Sequence, residues 1–342
     1  MNDYVGEIRR RSRSLIIVEG RHEKNKLFWL IFKCFPEIDI EIDDVWIYGT
    51  NIYLLYEDIV KEYGIEWAED GEDIDLPFVI SKKHCPDSLS YKKDFKNIIL
   101  VFDYERHDTN FSERKIEQMQ KCFDDVADMG KLYINYPMIE SYLHLKALPD
   151  YEYAERKIPV TLHPGKKYKA LVEKETIIGN VAGFPHKIDA ALQKYYGVNE
   201  EQLIIECRNA VLDSVNINDM TDKLQEILHD ALTEDSCKTL RYQVEDWVKK
   251  QRYIHTGQNF WNHMRNVLKQ IIYHNICKAN RIQNKRYHIE GDRYRSCFEE
   301  LDMAEILKEQ NILGQDSDTG YIWVLNTCVF FVAEYNFDLI EV

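Results

Sequence analysis

Two short β-branched runs, each delivering carboxylates at its C-terminal end, constrain this chain more than any other feature. The first is Leu15-Ile16-Ile17-Val18-Glu19-Gly20, with Glu23 four residues past Glu19. The second is Ile98-Ile99-Leu100-Val101-Phe102-Asp103-Tyr104-Glu105, with Asp108 just beyond. Open α/β sheets place their ligands at the carboxyl ends of strands. Two such runs in one domain therefore bring four or five carboxylates to one crevice. Carboxylates gathered like that repel one another unless a cation neutralises them, and Mg²⁺ is the hard cation that suits oxygen ligands beside phosphates.

The apolar and polar pattern around these runs predicts βαβ units. Leu15 to Val18 reads as a strand, and Glu23 to Phe35 as a helix stopped by Pro36. Val45 to Tyr48 reads as a second strand followed by Gly49, and Ile52 to Tyr63 as a second helix. Ile98 to Phe102 is the third strand. Ser112 is placed to cap a helix running to about Asp128, with Gly130 as its terminator and Leu132 to Ile134 as a fourth strand. Between Gly64 and Phe95 the pattern supports one strand at most, at Phe78 to Ile80. Residues 150 to 187 are rich in Pro and Gly and read as loops; beyond Asp189 the pattern is helical, best at Asp219–Thr233 and Phe260–Asn280. The expected fold is an α/β domain over 1–150, a mostly parallel sheet flanked by helices, followed by a mostly α-helical domain over 151–342.

Composition excludes several classes. The 342 residues suffice for two domains, and 45% hydrophobic with 30% charged residues describes a globular chain. No apolar stretch reaches membrane-spanning length; the nearest, Tyr321 to Ala333, carries Asn326 and Thr327 and reads as buried core. The N-terminus is basic but lacks the apolar region of a signal peptide, so the expected location is cytoplasmic, without membrane. Eight cysteines without a CxxC pair read as reduced thiols rather than zinc ligands. No GxxxxGK[ST] loop is present, so any ATP-driven control comes in trans.

A net charge of −15 argues against coating nucleic acid, yet the charge is uneven. Arg9-Arg10-Arg11 with Arg13, Lys166-Lys167-Lys169, and Lys278 through Arg295 are basic patches. The last holds Arg281, Lys285, Arg286, Arg293 and Arg295 interleaved with Tyr287 and Tyr294, a mix that suits a single-stranded or looped nucleic acid as readily as a solvated face.

Within the acidic set, Glu19 is followed by Gly20, which lets a turn approach closely. Glu23 opens the next helix. Asp103 and Glu105, at i and i+2 of a strand end, are expected to point the same way. They would reach one ion, or flank two roughly 4 Å apart as in two-metal nucleases. Arg106, His107 and Lys131 adjoin the set as candidates for contacting a scissile phosphate. Lys285 and Arg286 are the candidate substrate-binding pair of the basic patch. His22 and His84-Cys85 read as isolated polar residues, and Tyr136 and Tyr142 as packing.

The order Glu19-Gly20 after strand one, Gly49 after strand two and Asp103-x-Glu105 after strand three resembles the TOPRIM domain, with Glu105 where the second Asp is commoner. Glu23 is similar to the second glutamate of the overcoming-lysogenization-defect nucleases. The stretches Asp103-Tyr104-Glu105-Arg106-His107-Asp108 and Gly130 to Tyr142 resemble the TOPRIM effector nucleases of the phage anti-restriction-induced system. The resemblance covers about residues 12 to 145. It implies a Rossmann-like TOPRIM fold, Mg²⁺ or Mn²⁺ as one ion or a pair, and Glu140 as a further ligand or water-orienting acid. It also implies a homodimer held in check by a partner ATPase and toxic to infected cells by cutting tRNA. Two alternatives stay open: a DNA-nicking nuclease, and a degenerate TOPRIM that serves as an interaction module for an ATPase.

Overall fold

The computed structural model describes residues 14–69, 73–162, 165–251 and 253–341. The arginine run at Arg9 to Arg13 lies outside them. The chain opens with β1 (Ser14–Val18), whose five residues are all buried. A π-helical turn over Glu23–Phe28 leads into α1 (Trp29–Cys34), which stops before Pro36 as expected. Next come β2 (Val45–Ile47) and α2 (Ile52–Tyr63), capped by the Asn51 side chain accepting from Leu54 N at 3.1 Å. Then follow α3 (Leu76–His84), β3 (Asn97–Asp103) and α4 (Glu113–Cys122), the last capped by Ser112.

Two expectations fail here. Phe78 to Ile80 is helix, because Asp75 caps it through Phe78 N at 3.0 Å and Pro77 sits in the first turn, where its missing N–H costs nothing. The helix after Ser112 ends at Cys122 rather than near Asp128. The chain there turns into β4 (Asp124–Asp125), antiparallel to β5 (Gly130–Tyr136). Gly130 starts that strand instead of ending a helix; at φ +121° an added Cβ would stand 2.9 Å from Leu100 Cδ1, so only glycine fits.

The sheet order is β2-β1-β3-β5-β4, with β1, β2, β3 and β5 mutually parallel. The chain thus leaves β1 toward β2 on one side and returns to add β3 on the other. That reversal creates a crevice at the carboxyl ends of β1 and β3, where Val18 pairs with Val101.

Beyond 150 the chain is not loop-rich as expected. After β6 (Lys157–Pro159) it forms α5 (Lys166–Glu175), α6 (Ile178–Ala182) and α7 (Phe184–Tyr196). Helices then dominate: α8 (Glu201–Leu212), α9 (Ile217–Leu228), α10 (Glu234–Gln251), α11 (Phe260–Asn284), α12 (Tyr294–Glu299) and α13 (Met303–Leu313). Among the described residues no helix is long and apolar enough to cross a membrane.

The last segment returns to the first sheet. β7 (Tyr321–Trp323) pairs with β6, and β8 (Leu325–Asn326) adds antiparallel to β5, opposite Asn135 and Tyr136. α14 (Phe330–Tyr335) then packs Phe331 against Phe28 and Phe32, with ring centroids 5.9 and 6.5 Å apart. Each fully buried ring of this kind stabilises by about 1.5–3 kcal/mol relative to exposure. The helical half is also tied in through α11, where Trp261 meets Trp29 at 5.7 Å and Arg265 donates to the Cys34 carbonyl at 3.2 Å. All eight cysteines are free thiols.

Candidate active site

The crevice is built by four consecutive strand ends. Glu19 leaves β1 with its backbone still in register, its N–H donating to the Val101 carbonyl at 3.2 Å. Its carbonyl accepts from Gly49 N at 3.0 Å, so the left-handed Gly49 (φ +87°) closes the end of β2 onto the end of β1. The Glu19 carboxylate accepts from Asp103 N at 3.2 Å, joining the two acidic clusters directly. Glu23, buried on the π-helical turn, accepts from Gly20 N at 2.9 Å. An added Cβ at Gly20 would come within 3.3 Å of that same oxygen. A π turn breaks the helical period, and such turns recur at functional sites.

Asp103 is buried at the end of β3, paired in the sheet with Asn135, whose Nδ2 donates to Asp103 Oδ1 at 3.2 Å. The Asn135 Oδ1 is itself buried without a partner. Glu140 follows β5 on a 3₁₀ turn over Ile139–Leu143 and is also buried. Its Oε1 is 3.0 Å from Lys169 Nζ and 3.1 Å from His22 Nδ1; its Oε2 is buried with no partner.

Asp103 and Glu105 do not share a face as the i, i+2 spacing predicts. Glu105 has a positive φ of 38°, a conformation that costs a non-glycine residue of order 1–3 kcal/mol. That twist lies beyond the end of β3 and breaks its alternation. It buries Tyr104, whose carbonyl accepts from Tyr53 OH at 2.7 Å, and sends Glu105 toward Asp108 and Asn51. Asn51 donates to Asp108 Oδ2 at 2.7 Å while capping α2. The acidic set therefore forms two groups with Glu19 common to both: Glu23, Asp103 and Glu140 on one side, Glu105 and Asp108 on the other.

The electrostatics follow from this crowding. Burial, then the Glu105 carboxylate, push the Glu19 carboxyl well above the usual range; Glu23 and Asp108 add to the rise. Burial pushes Asp103 well up as well, helped by Glu19, Glu23 and Glu140 and opposed by Asn135. Glu23 is raised by burial and by Glu140, and Lys169 opposes the rise. Glu105 is raised by burial and by Asp108, against its hydrogen bond with Asn51. Four carboxyls raised at one crevice are the signature of a site missing positive charge.

The donors fit a hard divalent cation: all are carboxylate or amide oxygens, and two buried oxygens have no partner. Among the described residues, however, no three His, Cys, Asp or Glu side chains are arranged to hold a metal ion as they stand.

Several expected site residues lie elsewhere. Lys131 is four residues before Asn135 on β5, about 13 Å down the strand at roughly 3.3 Å per residue, and pairs with Glu334 at 2.6 Å. Arg106 stacks on Phe111, pairs with Glu113 at 3.1 Å and donates to Tyr104 OH, so it braces the loop after β3. His107 turns its Nε2 to the Val160 carbonyl. Lys285 is held by Glu309 at 2.5 Å and by the Ile282 carbonyl. Arg286 lines a separate pocket at the end of α11. Tyr136 and Tyr142 are packing residues, as expected.

Four participants lie outside the acidic clusters that the sequence displays. His22, taken for an isolated residue, and Lys169, seen only as part of a basic patch, both reach Glu140. Of Asn326 and Thr327, the polar pair inside an apolar run, the first braces the same turn and the second braces β5. Asn326 Nδ2 donates to the Ile139 carbonyl and Ser141 Oγ, both at 3.1 Å, and Thr327 Oγ1 donates to the Ile134 carbonyl at 2.8 Å. Two polar residues at the centre of a core run were the available signal. Comparison of the chain with protein-family models, with curated proteins and with solved structures finds no match.

Proposed function

We propose that this chain is a metal-dependent nuclease with a TOPRIM-type site. The observation that carries the reading is the gathering of Glu19, Glu23, Asp103, Glu105, Asp108 and Glu140 around the β1/β3 switch point, where burial and neighbouring carboxylates raise four of them, Glu19, Glu23, Asp103 and Glu105. Glu23, Asp103 and Glu140 would hold one Mg²⁺ or Mn²⁺, Glu105 and Asp108 a second, and Glu19 would serve both. Bound there, such ions activate water and neutralise charge on the leaving oxygen of a phosphodiester.

The chain's own residues supply the rest. Lys169 sets a cation beside Glu140, where it would meet a phosphate oxygen and the charge that develops on it. The unpartnered Glu140 Oε2 would orient an attacking water. Asn135 holds Asp103, and Asn51 holds Asp108.

RNA, and tRNA foremost, is the substrate favoured by the resemblance of the stretch from Asp103 to Tyr142. The same resemblance supports a toxic antiviral effector, acting as a homodimer and restrained by an ATPase in trans. Incubating purified protein with total tRNA and with supercoiled plasmid, in Mg²⁺, Mn²⁺ or chelator, tests this. The expected result is tRNA cleavage that needs metal and is lost in Glu19→Gln. Plasmid nicking alone would favour the DNA-nicking alternative.

One observation favours a second reading, an interaction module for an ATPase: among the described residues no three His, Cys, Asp or Glu side chains are arranged to share an ion. Binding of a partner without any cleavage of either nucleic acid would support it.

A further inference from the structure

The basic patch from Lys278 to Arg295 is thinned by the fold. Lys278 is fully buried, its Nζ donating to the Tyr153 and Arg156 carbonyls at 2.6 and 2.8 Å. Arg281 pairs with Glu155, Lys285 with Glu309, and Arg295 with Asp338 and Glu341. The tyrosines are spoken for as well: Tyr287 OH bonds His274 Nδ1, and Tyr294 packs on Tyr273 and Phe337. Among the described residues only Arg286 and Arg293 of this patch keep guanidinium groups without a carboxylate partner. Both are exposed, and both line one pocket of ≈ 540 Å³.

That pocket is preformed. Asn280 Nδ2 donates to the Arg286 carbonyl at 2.6 Å, and Asn284 Nδ2 donates to Asn280 Oδ1 at 2.9 Å, so the last turn of α11 fixes the loop that carries Arg286. On the far wall Arg293 N donates to the Glu290 carbonyl and Ser296 Oγ to the Arg293 carbonyl, fixing the second arginine. His288 presents its ring on the same wall, edge-on to Tyr287 at 5.7 Å. Glu290 and Glu300 also face the pocket. The volume suits a nucleotide unit, and the polarity is mixed in the way one requires. Two guanidinium forks match phosphate oxygens, a ring offers a stacking face, and two carboxylates accept from exocyclic amino groups of exposed base edges.

We infer that this pocket is a binding subsite for single-stranded nucleic acid, in which Arg286 and Arg293 grip backbone phosphate and His288, Glu290 and Glu300 meet the unpaired base. None of its lining residues belongs to the carboxylate crevice, so it is a second contact that holds the strand while the crevice acts. This deepens the nuclease reading and rests on it for its biological meaning, but strand binding itself is measurable without cleavage.

The test is fluorescence anisotropy with a labelled single-stranded RNA of about 12 nucleotides, a length on the scale of known single-strand sites. It is run in chelator over a series of salt concentrations. Wild type, Arg286→Ala/Arg293→Ala, and a control with two exposed cations removed elsewhere, Lys249→Ala/Lys250→Ala, are compared. The double arginine variant should bind about tenfold more weakly or worse. Its log–log salt slope should shrink by about 1.4, the value for two single-strand phosphate contacts. The control should match wild type, and a free nucleoside monophosphate should bind far more weakly than the strand.

Equal affinity and slope in the arginine variant overturns the inference. So does an equal loss in the control, an absence of wild-type binding, or a mononucleotide that binds as tightly as the strand. If the arginines hold the RNA but no metal supports cleavage, this inference stands and the nuclease reading falls. If cleavage proceeds while the arginine variant binds as wild type, the reverse holds.

Discussion

Lys169 places its ammonium 3.0 Å from Glu140 Oε1, bringing α5 of the second half of the chain to a carboxylate that follows the fourth parallel strand. The contact is half-exposed, so its direct worth to stability is small, within about 1 kcal/mol. Its worth to the chemistry is larger, because it is a fixed positive charge beside a crowd of raised carboxyls. Lys169→Met is expected to lower kcat by about 10²–10³ with little change in melting temperature. Steady-state cleavage of tRNA with parallel thermal melts measures both; a normal kcat would remove Lys169 from the site.

The raised carboxyls also set a pH dependence. For Glu19, Glu23, Asp103 and Glu105 the folded-state pKa lies above the unfolded value, so between the two the folded state binds more protons. Stability then falls as pH rises through that window. Opposite contributions come from Asp58, lowered to about 2 by Lys83, Tyr48 and Lys61, at more acid pH, and from His84, His144, His186, His263 and His274, lowered by burial, as pH rises toward the unfolded histidine range. In chelator the melting temperature of wild type relative to Glu19→Gln/Asp103→Asn, which keeps the histidines, should therefore drop as pH is raised from about 5 to 8. Saturating Mn²⁺ should flatten the drop by supplying the missing charge. A difference between wild type and that variant that stays flat or rises with pH in chelator would contradict the assignment of these carboxyls.

The left-handed backbone at Glu105 gives a separable prediction. Glu105→Gly removes a carboxylate and relieves the strain at φ 38° together. The variant should lose cleavage yet unfold at equal or higher denaturant concentration, with a gain of up to about 1 kcal/mol. Glu105→Ala, which keeps the strain, should lose cleavage without that gain. Urea titrations of the two variants check it.

How much of this was legible in the chain depends on the distance over which each decision is made. The strands β1, β2 and β3, the helix α2 and the acidic clusters are local patterns, and the sequence states them. Phe78 to Ile80 misleads because a triplet of strand-favouring residues, Phe-Val-Ile, is outvoted by a cap and a proline at the helix start. Gly130 misleads because its positive φ serves a close approach to Leu100 rather than a helix terminus. The return of β8 to β5, which brings Asn326 under the Glu140 turn and Thr327 onto β5, is a pairing across more than half of the chain that no local pattern encodes. Lys169 reaches Glu140 for the same reason: the spacing between them in sequence carries no geometric information.

The helical half depends on a buried ion pair. Asp150 and Arg156 lie 2.6 Å apart, both buried, and Arg156 also donates to the His144 carbonyl. Asp150→Ala leaves a buried guanidinium without its carboxylate and should cost about 3–5 kcal/mol. Chemical denaturation would read that loss; a change under about 1 kcal/mol would show the pair to be solvated in solution.

The account stands most directly on whether the strand-end carboxylates take up a divalent cation together. Calorimetric titration of Mn²⁺ into wild type, Glu19→Gln and Asp103→Asn measures this without reference to any substrate. Saturable binding by wild type, lost in both variants although both remain folded, is the predicted result. Absence of binding to wild type, or binding undiminished in the two variants, would contradict it.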